Sequence, residues 1–347
     1  MTQVTRVTFA ALAAACLISS AASAEDVLTI MSYGGNYQKS QQVYFDEFTK
    51  ETGVKVVVES ADEAWPKVNA MVEAGNITWD VVQGETPTII QNCDNGNLEP
   101  YDWSMLDKSG FVPIAVQKCG VGTIISSSVI AYNADKFPGD KPTAVADFWN
   151  LEKFPGKRGM RKKAITTLEF ALIADGVPTS DVYKVLRTDE GVDRAFKKLD
   201  QIKKDVVWWE SSSSAPQLLG SGEVSMSTAW NGRITAARKD EGKNFVIIWD
   251  GQNYDGDFFA VVKGSPHKEL AEKFIAIASR PELQARQSEQ ITYGPTLTKT
   301  LDLIPADRVP DLPTAPANLQ NGLANDAQFW AENGEALEAR FIAWLNS

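Results

Sequence analysis

The chain has 347 residues, 44% hydrophobic and 23% charged, a globular composition with enough apolar material for about two domains. Its 45 acidic and 34 basic residues give a formal net charge of −11, which disfavours nucleic acid as a partner and favours the approach of cationic ligands. One histidine and three cysteines, without metal-ligand spacing, leave little for a metal centre.

The first element is a leader. Arg6, the apolar run Val7–Leu17 and the small residues Ala22-Ser23-Ala24 form a secretory signal peptide, with Glu25 as the first mature residue. Loss of Arg6 takes the charge from −11 to −12. The run is too short to span a bilayer. Cys16 raises lipidation as a rival, but Ala13 stands where an aliphatic residue is expected three places earlier. The mature protein is therefore expected in an oxidising compartment, most simply the bacterial periplasm. Its two remaining cysteines, Cys93 and Cys119, are expected to form one disulfide.

Leu28–Tyr33 predicts a strand running into Gly34-Gly35, a glycine pair able to present backbone N–H groups to an anion. Tyr44, Phe45 and Phe48 give a helix over Tyr37–Lys50, closed by Gly53. Val54–Glu59 is a second strand, Ala64–Ala74 a helix with Pro66 in its first turn, and Asp80–Gln83 a third strand. Thr123–Tyr132 reads as one or two strands, and Asp147–Arg161 as a helical turn followed by a Pro-Gly loop. Thr166–Ala174 and the amphipathic Glu190–Lys203 are helices, and Val206–Trp209 is a strand leading into the polar loop Ser211–Ser214. Either Trp208 or Trp209 faces the cleft or core, by alternation. Val224–Thr228 predicts a strand ending in a loop, Trp230-Asn231-Gly232-Arg233. Phe245–Trp249 and Phe258–Val262 are strands, and Lys268–Ala278 and Pro281–Ser288 are helices, with His267 a surface helix-start residue. A proline-rich connection, Pro305–Pro316, precedes a last helix at Asp326–Leu345. This alternation predicts an α/β fold of two doubly wound lobes joined by crossing strands, with ligand beyond the carboxyl ends of the strands. Tyr33–Asn36 and Gly84–Thr86 lie at two such ends.

The stretches LTIMSYGGNY, FDEFTKETGVKVVVES, WDVVQGET, VIAYNADKFPG, DFWNLEKFPGKRG, STAWNGR, FFAVVKGSPHKELAEKFI and ITYGPT cover most of residues 28–300. As an ordered set they resemble the periplasmic solute-binding proteins of the polyamine (spermidine/putrescine) type, receptors of ABC importers. The resemblance implies a type II periplasmic binding fold, with ligand in an interlobe cleft, hinge closure, a monomer, no cofactor and delivery to an inner-membrane permease. It implies that Val129–Asn133 and the segment around Phe258–Val262 cross between lobes. The first lobe is then 25–131 plus 259–300 and the second 132–258 plus 301–347.

The resemblance also carries individual residues. Tyr33 takes the place of an aromatic wall after the first strand, Trp230 that of a tryptophan lying along an aliphatic chain, Asp257 that of an ammonium partner, and Tyr293 that of a rim tyrosine. Glu85 and Thr86 replace a Ser-Thr-Tyr type turn, and Glu85 offers a further ammonium acceptor. Two positions depart from the pattern. Arg161-Lys162-Lys163 is basic where carboxylates are usual, and the run Lys157–Lys163 reads as a solvated face outside the site. Arg233 stands where a small residue suits a dication, since two cations repel. Arg233 with Asp257 therefore points to a zwitterion such as 4-aminobutyrate or an opine-like compound, with a true polyamine as the alternative. Against these stand a paired-carboxylate hydrolase, a cysteine-dependent transferase and a metal receptor. No nucleophile–base set, phosphate loop or ligand cluster supports them.

Overall fold

The computed structural model describes residues 27–61 and 64–347; the signal peptide and Cys16 lie outside them. Its strands are β1 Val27–Ser32, β2 Lys55–Ser60, β3 Val81–Glu85, β4 Val121–Asn133, β5 Arg158–Arg161, β6 Val206–Trp209, β7 Met226–Trp230, β8 Phe245–Val261, β9 Gly294–Pro295 and β10 Leu323–Ala324. They form one path, β2-β1-β3-β8-β4-β7-β5-β6, with β10 beside β8 and β9 beside β4. The outer strands of each half pair in parallel, as strand–helix alternation dictates. The two central strands, β4 and β8, are antiparallel to each other and to their outer neighbours.

Those central strands carry the two-lobe architecture. β4 has 13 residues and β8 has 17. Val121, Phe259 and Val261 pack with Leu28, Ile30, Tyr44 and Phe48 in one core. Ile130, Tyr132 and Ile248 pack with Phe148, Leu168 and Phe196 in another. The same two strands thus leave one core and enter the other. The pairing shifts register between Ser128↔Asn253 and Ile130↔Ile248, where β8 holds three more residues than β4. Gly251 sits in that bulge with φ +64°, and a Cβ there would lie 2.6 Å from Val145 Cγ2.

The expected second crossing at Phe258–Val262 lies too far along the chain. Phe258 is fully buried in a first-lobe cluster with Met31, Val68 and Ile89, so β8 changes sides upstream, around Gly251–Asp255. The polar run Asp250–Asp257 reads as a loop in sequence. It is extended because it bridges two cores while pairing with β4; Gln252 and Asn253 are buried there, and Gln252 donates to Pro313 O and Asn318 O at 2.9 and 2.8 Å. The helix expected over Tyr37–Lys50 divides at Gln41 into Gly35–Ser40 and Gln42–Thr52. Arg158–Arg161 is a strand within the second-lobe sheet rather than loop, and Ser214–Ser221 is a helix. After residue 300 the chain returns to the second core through Phe329, Trp330, Leu337 and Phe341 of the helix Ala327–Leu345, capped by Asp326 accepting from Phe329 N at 2.9 Å.

Cys93 and Cys119 are disulfide-bonded, with Cα atoms 5.7 Å apart. The bond ties the end of the helix Thr86–Asp94 to the segment entering β4, inside the cluster that holds Ile89 and Phe258. His267 precedes the helix Lys268–Ala278, with Nδ1 3.1 Å from Asp80 Oδ1. Trp209 is buried among Ala131, Leu219 and Ala229, while Trp208 packs edge-on against Phe341 and Trp344 at 5.4 and 5.9 Å, so both serve core packing.

Candidate ligand-binding cleft

The site begins with strand register. β3 and β8 are antiparallel neighbours in which Glu85 lies opposite Asp257, so both carboxylates project from the same sheet face at the first-lobe edge of the gap. Among the described residues neither side chain has a hydrogen-bonding or ion-pair partner. Glu85, the last residue of its strand rather than a loop residue, stays open to water while protein crowds it. Burial pushes its carboxyl upward, and Arg161 draws it back. Asp257 is pushed well above the usual carboxylate range by burial first, then by Glu85 and Asp255.

Asp255 has a different role from its neighbour. Its carboxylate accepts from the Thr86 hydroxyl, from Gly256 N at 2.7 Å and from Asn325 Nδ2 at 2.8 Å. Burial still lifts its pKa to about 7, with Glu85 adding to the rise. Thr86 belongs to the first lobe and Asn325 follows β10, so Asp255 holds both sides of the crossing together. Thr86 thus supports the site through Asp255. Asn325 Oδ1 lies 3.1 Å from the Tyr183 hydroxyl, which is also 3.1 Å from the fully buried Glu169.

Aromatic rings wall the acidic floor. Tyr33 and Tyr37 stand with centroids 5.9 Å apart, and both hydroxyls are raised by burial first and by Asp257 next. Gly34, at φ +73°, turns the chain between them. Tyr293 is pushed up to about 12 by burial, with Asp257 and Glu85 raising it and Arg233 opposing. Tyr293 and Arg233 meet at one cavity, which Tyr33 also lines. Gly232 allows it: a Cβ there would lie 2.7 Å from the Tyr293 ring.

The second lobe supplies the facing wall. Trp230 ends β7, opposite Ser128 on the crossing strand. Asn231-Gly232-Arg233 is the first turn of the helix Asn231–Asp240, not a loop. Fully buried Asn231 accepts from Ser127 N at 3.1 Å and donates to Thr292 O at 2.7 Å, tying this turn to the crossing strand and the Tyr293 segment. Arg233 is exposed and lines the cleft mouth, a cavity of about 330 Å³ shared with Tyr33, Gly34 and Tyr293.

The basic run Lys157–Lys163 is not a solvated face as a whole, and this corrects the sequence reading. Arg158 is fully buried, donating to Phe148 O, Gly156 O and Phe154 O at 2.6–2.7 Å. Arg161 ends β5 with its guanidinium 5.5 Å from the Trp230 ring centre, half-buried and drawn toward Glu85. Only Lys162 and Lys163 pair outward, with Glu210 and Glu338. Charge density in a sequence cannot separate these fates; alternation along an unrecognised strand does.

A larger concavity, about 1250 Å³, lies elsewhere, along the free edge of β6. It is broad and lined by the Lys162–Glu210 pair, whereas the cleft between the lobes gathers charges without partners.

Comparison with known proteins places the chain among receptors. A family model described as bacterial extracellular solute-binding protein matches residues 43–317. The gamma-aminobutyric acid-binding protein of Pseudomonas aeruginosa is 50% identical over 319 residues, 91% of this chain and 90% of that one. The spermidine/putrescine-binding periplasmic protein of Escherichia coli is 26% identical over 288 residues, 79% of each. The crystal structure of an ABC transporter substrate-binding protein from Bradyrhizobium japonicum superposes with a TM-score of 0.84 at 35% identity, covering 92% of this chain and 99% of that one.

Proposed function

The chain belongs to the bacterial extracellular solute-binding protein family, and on that premise we propose that its cleft captures a zwitterionic ω-amino acid, 4-aminobutyrate first, for an ABC importer. One observation carries the reading. Glu85 and Asp257, which have no partner among the described residues, stand on the first-lobe side of the gap, while the second lobe brings Arg233 to a cavity that it lines with Tyr33 and Tyr293. An ammonium at Asp257 and a carboxylate at Arg233 would satisfy both ends at once, with the methylene chain along Trp230. A ligand that touches both walls binds the closed arrangement better than the open one, and that difference drives hinge closure about β4 and β8. The 50% identity to a gamma-aminobutyric acid-binding protein supports the same ligand.

The chain acts as a binding protein without catalysis. Its place is the periplasm, reached by the signal peptide ahead of Glu25, and its partner is an inner-membrane permease. A polyamine such as putrescine is the alternative ligand, favoured by the net charge of −11 and opposed by Arg233.

Calorimetric titration of refolded, ligand-stripped mature protein tests this directly. The panel is 4-aminobutyrate, putrescine, spermidine and an opine-type amino acid. Tight binding of 4-aminobutyrate with silent diamines is expected, and Arg233→Ala should weaken it by about 1.5–3 kcal/mol, the worth of a charged hydrogen bond. Tight binding of the diamines with 4-aminobutyrate silent would end the zwitterion assignment; an Arg233→Ala variant as strong as wild type would remove Arg233 from the ligand contact.

A further inference from the structure

Arg161 is the deeper of the two guanidinium groups at the cleft. Its backbone is fixed where β5 ends: Arg161 N donates to Thr228 Oγ1 at 3.1 Å, and its carbonyl accepts from Lys163 N at 2.9 Å. Its guanidinium lies 5.5 Å from the Trp230 ring centre. Contact with the face of an aromatic ring orients the planar fork while leaving its N–H edges free. Among the described residues those N–H groups have no hydrogen-bond partner; burial pushes the guanidinium pKa down, and the charges of Glu85 and then Glu338 oppose it. Leaving a half-buried guanidinium without a partner is costly. The buried arginine three residues earlier shows the contrast, since Arg158 fills its fork with main-chain carbonyls.

We propose that Arg161 is the inner anion subsite of the cleft, sharing with Arg233 at the rim the carboxylate of an ω-amino acid whose chain lies on Trp230. This rests on the zwitterion reading above and adds the group that enforces it. A ligand between Arg161 and Glu85 offers each its opposite charge. A diamine laid the same way brings an ammonium against the guanidinium, so Arg161 also filters against polyamines. Sequence reading passes over it because its neighbours Lys162 and Lys163 do face solvent.

The test compares 4-aminobutyrate with its neutral carboxamide, 4-aminobutanamide, and with putrescine, by calorimetry on the mature protein. Wild type is expected to prefer the carboxylate over the amide by at least thirtyfold. Arg161→Gln should lose most of that preference, keep or gain putrescine binding, and lose more 4-aminobutyrate affinity than Arg233→Gln. Arg161→Lys, which keeps the charge but not the fork, should fall between and serves if the glutamine variant folds poorly. A wild type that binds carboxylate and amide alike overturns the subsite, as does an Arg161→Gln or Arg161→Lys variant that discriminates as wild type does. If wild type binds 4-aminobutyrate tightly while Arg161 proves indifferent, only this inference falls. If wild type ignores zwitterions and takes putrescine, the functional reading falls with it.

Discussion

Single residues decide the chemistry here, and the carboxylates give it a pH signature. In the ligand-free protein Asp255 sits at about 7 and Asp257 and Glu85 are raised, in each case by burial first, with the charge of Glu85 adding to the rise of Asp255 and Asp257. A raised carboxyl favours the fold while protonated. Its contribution is whole below the ordinary carboxylate range and is lost as pH climbs through about 7 for Asp255. An arriving ammonium reverses this by favouring the ionised forms. Binding near pH 6 should therefore release protons, and affinity for 4-aminobutyrate should fall as pH drops from about 8 to 5.5, by at most about tenfold per unit for each proton released. Titrations in two buffers of different ionisation enthalpy count those protons; proton uptake, or none at all, would contradict this account. Glu169, raised to about 7 by burial in the second-lobe core, adds to the pH dependence of stability.

At the level of elements, the crossing strands and the disulfide bear the mechanical load. Gly251 interrupts β8 at φ +64°, where L side chains are strained, and a Cβ would also meet Val145 at 2.6 Å. Gly251→Ala should cost about 1–3 kcal/mol of stability, and chemical denaturation with an unchanged melting profile would show that the bulge tolerates the methyl group. The Cys93–Cys119 bond closes a sequence separation of 26 residues. On chain-entropy grounds its removal by Cys93→Ala with Cys119→Ala should cost about 3–4 kcal/mol. Calorimetric melting of the double variant measures this, and a melting point equal to wild type would refute it. The bond sits behind the helix that begins at Thr86, so loosening it should reach the Thr86–Asp255 contact before it reaches the second lobe.

On the scale of the whole molecule, function comes from two cores sharing two strands. No compact half contains the site: Glu85 and Tyr33 belong with the first core, Trp230, Arg161 and Arg233 with the second, and Asp255 and Asp257 with the strand between. A hinge of two extended strands moves the walls apart without breaking either core, since the packing clusters change at Ser126–Ser128 and Gly251–Asp255. The net charge of −11 adds a long-range pull on cationic groups that the arginines at the cleft then qualify.

Much of this was legible in the chain itself. Hydrophobic periodicity and glycine caps located β1, the helix closed by Gly53, β6 and the last helix, because those signals are local. Beyond the leader expected at residues 1–24, the two cysteines had only each other to pair with, and they do. The family motifs brought Tyr33, Trp230, Asp257 and Tyr293 under suspicion together, and Arg233 stood out by departing from them. Tertiary structure alone decided the rest. β5 is four residues, two of them arginine and one glycine, and gains its strand only from β6 and β7 on either side. The polar middle of β8 is extended because it pairs with β4 while passing from one core to the other, a circumstance no local propensity encodes. Arg158 and Arg161 share one basic run, yet one is sealed in a core and the other faces a cleft. That difference depends on which side of a sheet each occupies and on what stands opposite across the fold.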